Sequence, residues 1–62
     1  MIDLKSLRQA SGMTQQQLAD ETHVVRTAIA NIESGLAKPS VETAKAIAAV
    51  LRFDWWEFFE ME

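Results

Sequence analysis

The 62-residue sequence contains no Cys and no Tyr, a single His at position 23, one Pro and two Gly. Without Cys no disulfide can form, and with His23 as the sole imidazole the Cys/His clusters that hold zinc in other small domains cannot be assembled. No metal and no cofactor are therefore expected. The same shortage removes most enzyme chemistry, because a nucleophile needs a neighbouring base and a group to orient it, and the spacing of Ser, Thr and Asp suggests no such triad. No Gly-rich loop offers a Walker or dinucleotide site. The longest apolar run, Ala46 to Leu51, falls far short of the roughly 20 residues that span a bilayer, and Asp3 and Lys5 interrupt any signal-peptide core. The expectation is a cytoplasmic protein, not an enzyme, with no membrane partner and no evident small-molecule ligand.

Present instead are 48% apolar residues in a chain long enough for one domain, taken as residues 1–62. A chain of this size buries only about 60% of the surface exposed when unfolded, so helix packing or self-association must supply the stability. No segment alternates apolar and polar residues long enough to argue a strand, and the pattern is helical throughout. Leu4, Leu7 and Ala10 recur at three-residue spacing before Gly12, which predicts a helix from about Asp3 to Ser11. Thr14 followed by Gln17 has the form of a capping box opening a second helix that runs to about Thr22. Pro39 and Ser40 mark another start, with Ser40 as N-cap, and Val41, Ala44, Ile47, Ala48 and Leu51 give the stripe of a central core helix. Asp54 with Glu57 opens a fifth, short helix at about 54–60 that holds most of the aromatics.

The third helix, predicted from about Val25 to Ser34 and closed by Gly35, can be divided into faces at about 100° per residue. Val25, Ala28, Ile29 and Ile32 fall on one side; Thr27, Ala30 and Ser34, flanked by Arg26 and Asn31, fall on the other. An outer face of small and hydrogen-bonding side chains suits close approach to a partner. Two short helices joined by a tight turn at His23, within about 14–34, form a helix-turn-helix candidate, in which the second helix enters the major groove. On geometry alone an ordinary helical bundle fits as well.

The linked set Leu7-Arg8, Met13-Thr14-Gln15, Leu18-Ala19, Ile29, Ile32-Glu33, Gly35, Pro39-Ser40 and Leu51 resembles, in order and spacing, the Cro/phage-repressor-like or XRE helix-turn-helix family. The resemblance runs from Leu4 to Phe59 without a gap. It implies an all-α, compact five-helix lambda-repressor-like DNA-binding domain, usually a dimeric regulator that binds double-stranded DNA at a palindromic operator. Carried over residue by residue, Gln15 looks like the family's phosphate-contacting Gln; Arg26, Thr27, Ala30 and Asn31 match positions that reach base edges; Ser34 and Lys38 resemble backbone clamps. Arg8 and Glu33 match a structural ion pair between the first and third helices.

Departures from the family pattern are also legible. Leu36 and Ala37 stand where basic residues are common, His23 where Gly is common, and Thr22 where an apolar residue is common. The net charge of −3 opposes phosphate binding, but residues 1–31 are balanced and the excess acid lies largely in Asp54, Glu57, Glu60 and Glu62. His23 reads first as an exposed turn residue. Phe53, Trp55, Phe58 and Phe59 match core positions of the family, whereas Trp56 does not. Trp56 is therefore read as the anchor of a homodimer interface shared with Trp55 and Phe59, or else as a ring lying flat over its own core. The rival function is an antitoxin-like or antirepressor module whose protein partner docks on this acidic aromatic end.

Overall fold

The computed structural model describes residues 2–59. Four α-helices, α1 (Leu4–Ala10), α2 (Gln15–Thr22), α3 (Arg26–Ser34) and α4 (Val41–Leu51), are followed by a 3-10 turn at Trp55–Phe59. Among the described residues there is no strand, and no helix is long and apolar enough to cross a membrane.

Three of the four α-helices start where a side chain satisfies an orphan amide, whereas α3 opens on the extended Val25 with no side-chain cap. Asp3 accepts from the Ser6 N–H, Ser40 from the Thr43 N–H, and Thr14 from the Gln17 N–H while the Gln17 side chain accepts from the Thr14 N–H in return. Three helix ends are left-handed. Gly35 meets the demand without strain, whereas His23 (φ 58°) and Arg52 (φ 62°) carry a Cβ into a region that L-residues avoid.

The core is built on α4, whose Ala44, Ile47, Ala48 and Leu51 are all buried, and on Leu18 and Ala19 of α2, Ile29 of α3, Leu4 of α1 and Phe58 of the 3-10 turn. α4 packs against α2 and the 3-10 turn, α2 against α3, and α1 against α3. Thr22 is buried with them, and its hydroxyl donates to the Leu18 carbonyl (2.7 Å), so this polar substitution enters the core without an orphaned group.

Several expectations from periodicity are corrected. Val25 is the extended residue that caps α3 and is 70% exposed, while Val24 packs against the core in its place. Val41, the first residue of α4, is also exposed. Ala10 is exposed, and the inward side of α1 is Leu4, Leu7 and Arg8. The expected fifth α-helix is a 3-10 turn: five residues cannot repay the nucleation of an α-helix, and the tighter winding suits such short pieces. Its expected end at residue 60 lies outside the described residues. Phe59 is 39% exposed rather than in the core.

His23→Gly is expected to raise stability by about 0.5–1 kcal/mol, since relief of the left-handed strain exceeds the added entropy of the unfolded chain. Thermal unfolding should show a midpoint higher by about 4 °C; a lower midpoint would mean that the imidazole contributes a contact of its own.

Candidate nucleic-acid interface

The α2 and α3 helices are joined by His23, Val24 and Val25, and the turn is closed by the Val24 N–H donating to the Ala19 carbonyl (3.1 Å). Ile29 is the one fully buried residue of α3. The opposite side of the helix faces outward: Arg26, Thr27 and Ser34 are exposed, Ala30 and Asn31 half-buried. Lys38 is exposed on the loop that follows. The Ser34 hydroxyl donates to the Asn31 backbone carbonyl (3.1 Å), which occupies its proton within the helix.

The position of this face is set from beneath. Arg8 projects from α1 into the junction with all sides of its guanidinium engaged. Nε donates to Glu33 Oε2 (2.6 Å), Nη2 to Glu33 Oε1 (3.2 Å) and Nη1 to the Met13 carbonyl (2.7 Å). The two side chains are 10% and 4% exposed, so this is a buried bidentate pair that ties α1, the α1–α2 turn and α3 together. Glu33 also accepts from Gln15 Nε2 (3.1 Å), and Gln15 Oε1 in turn accepts from Arg26 Nη1 (3.4 Å). A hydrogen-bonded chain therefore runs from α1 through the interior to the outer face of α3.

Burial alone would push the Glu33 carboxyl up, but hydrogen bonds from Arg8 and Gln15 and the positive charges of Arg8 and Lys5 outweigh it and hold Glu33 below its ordinary value. Its hydrogen bond to Glu33 likewise raises Arg8, against the opposing effect of burial.

Among the residues expected to bind DNA, Ser34 borders both of two adjoining depressions beside α3. Gln15, Arg26, Ala30 and Ser34 share one surface, part of it a depression of about 220 Å³ lined by Lys5, Gln15, Ala30, Glu33 and Ser34. Lys38 borders an adjoining cavity of about 450 Å³ with Asp3, Pro39 and Phe58, whose lining also includes Glu33 and Ser34. Two residues of the surface escape the sequence reading. Lys5 lies three positions before Arg8, a spacing that puts both on one side of α1. Val25 follows Val24 in an extended segment, where neighbouring side chains point to opposite sides. The aromatic end is a separate surface. Trp55 is half-buried, edge-on to both Trp56 and Phe59 (ring centroids 5.9 and 6.1 Å), with the Lys45 ammonium 5.2 Å from its ring.

A Helix-turn-helix family model matches residues 4–56. The chain belongs to the XRE-type helix-turn-helix family. Members of this XRE-type family are DNA-binding transcriptional regulators. An uncharacterized HTH-type transcriptional regulator of Bacillus subtilis (strain 168), YqaF, is 42% identical over 57 residues, which cover 92% of this chain and 75% of that protein. The HTH-type transcriptional activator BcrR of Enterococcus faecalis is 44% identical over 45 residues, 73% of this chain but only 22% of that protein. No solved structure gives a significant match.

The direction of the Glu33 shift fixes the sign of the acid response of this XRE-type domain. A carboxyl held low in the folded state stabilises fully above its ordinary unfolded value, about 4.3, and loses that contribution as pH falls from there through its own lower value. Urea midpoints should be flat from about pH 7 to 5 and fall below about 4.5. In Glu33→Gln this acid limb should flatten, leaving a smaller slope from Asp3, which the Ser6 N–H also holds low. An unchanged acid limb in the variant would show that Glu33 is not the group responsible.

Proposed function

We propose that the chain is a sequence-specific transcriptional regulator that binds an inverted-repeat operator as a homodimer through the outer face of α3. The observation that carries this reading is the presentation of Arg26, Thr27, Ala30 and Asn31 on a helix whose opposite side is pinned by Ile29 and the buried Arg8–Glu33 pair. Arg26 suits a guanine, donating to O6 and N7; Asn31 suits an adenine; the Ala30 methyl and the exposed Val25 beside Arg26 suit thymine methyls. Gln15, with one amide proton left after its bond to Glu33, serves a backbone phosphate, and Ser34 and Lys38 serve others, Ser34 by rotating its hydroxyl outward.

Dimerisation rests on the aromatic end. Trp56, 51% exposed, and Phe59 leave large apolar area in water beside the half-buried Trp55, and such aromatics dominate association energies where they cluster. A two-fold axis through this end would place two α3 helices in major grooves about 34 Å apart. Trp56→Ala is expected to convert the dimer to a monomer in sedimentation, and a dimer of unchanged affinity would remove Trp56 from the interface.

Selection from a random duplex library, followed by binding of the selected site at several salt concentrations, tests the function. An inverted repeat should emerge, with a shallow salt dependence because few cations line the interface. Arg26→Ala should then cost about 1–3 kcal/mol and relax the preference at one base pair of each half-site. Equal weakening on every sequence would confine Arg26 to phosphate, and failure to retain any duplex at low salt would favour the protein-interaction reading.

A further inference from the structure

Glu33 lines the floor of the depression beside Gln15, Ala30 and Ser34, and its geometry constrains what happens at the outer face of α3. A carboxylate accepts hydrogen bonds and donates none, so the Gln15 amide beside it must turn its NH2 end inward, as it does at 3.1 Å. This leaves Gln15 Oε1, a pure acceptor, on the outer side, where it receives Arg26 Nη1 at 3.4 Å. The Glu33 carboxylate is itself locked by two bonds from Arg8, so its orientation cannot adjust to a flipped amide. Because Glu33 and Arg8 are buried and packed, the restraint is applied from a rigid part of the molecule to an exposed, flexible guanidinium.

We infer that Glu33, acting through the fixed amide of Gln15, is a positioning residue for base discrimination by Arg26. One Nη of Arg26 is tethered to Gln15 Oε1, and the remaining Nε and Nη2 edge is presented as a planar donor pair matched to a guanine. Untethered, the same side chain samples many rotamers and reaches any nearby acceptor, including phosphate, which lowers selectivity more than affinity. The inference rests on the base-reading role given to Arg26 above and extends it to residues that touch no base.

The test measures binding of the full chain to the selected duplex and to duplexes changed at single base pairs, with the ratio of affinities as the readout. Uniform losses cancel in that ratio, so a phosphate contact by Gln15 or a general loss of stability does not move it. Gln15→Met keeps the length of the side chain and removes both hydrogen bonds. It should lower discrimination at the Arg26-dependent base pair about 5-fold, part of the roughly 5- to 150-fold carried by a good bidentate contact, and leave other positions unchanged. Glu33→Gln, which no longer dictates the direction of the Gln15 amide, should lower the same ratio in the same place.

In the Arg26→Ala background, Gln15→Met should change nothing further in the ratio, since the two act as one unit. A Gln15→Met loss spread equally over all base pairs would overturn the positioning role while leaving Arg26 as the base reader. No position-limited effect of Arg26→Ala would overturn the reading of Arg26 and the inference with it.

Discussion

The buried pair between Arg8 and Glu33 is the constraint on which the arrangement of the helices depends. α1 is only seven residues long and, with Ala10 outward, brings only Leu4 and Leu7 to the core as apolar side chains. What holds it to α3 is a guanidinium whose donors are spent on the Glu33 carboxylate and on the Met13 carbonyl, a backbone group in the α1–α2 turn that no helix satisfies. Charges so far out of water tolerate no missing partner, because removal of either leaves the other uncompensated. The pair therefore specifies one relative placement of α1, the turn and α3, where apolar contact alone would accept several.

The unfavourable net charge is compatible with a nucleic-acid partner because of where the charges lie. Glu33, which lines the depression beside the outer face of α3, is engaged by Arg8, and Lys5 lies nearby. Asp54 and Glu57 sit at the aromatic end, where the Glu57 carboxylate accepts the Asp54 N–H (3.0 Å) and is consumed in closing the turn. Net charge describes the field at a distance, while screening over about 10 Å leaves the outer face of α3 to its own local groups.

How much of this was legible in the sequence depended on the range of the interaction. Thr14, Ser40 and Gly35 act within three or four residues, and their roles can be read from spacing alone; the observed caps match. The buried stripe of α4 is also readable, because a central helix is covered along most of its length. Val25 and Val41 were misplaced for a shared reason: periodicity gives the direction of a side chain but not where along its axis a helix leaves the core. Phe59, expected in the core from the family resemblance, lies at the end of a 3-10 turn and is 39% exposed, because a positional match does not carry the local winding of the segment. The chain from Glu33 through Gln15 to Arg26 spans 18 and then 11 positions, and no local pattern encodes it.

The way α3 is anchored has a consequence for descent. Only Ile29 is fully enclosed, and Glu33 is secured from below, so five of the nine residues of the helix contribute side chains chiefly to the outer face. Exchanges at the exposed Arg26, Thr27 and Ser34 alter few interior contacts and so are nearly neutral for folding. On the proposed reading, the residues that would set target preference and those that hold the fold overlap within this short helix chiefly at Glu33. On that proposed reading, a lineage carrying this domain can acquire a new binding site by successive single replacements without first gaining spare stability, and its scaffold can persist while its targets diverge.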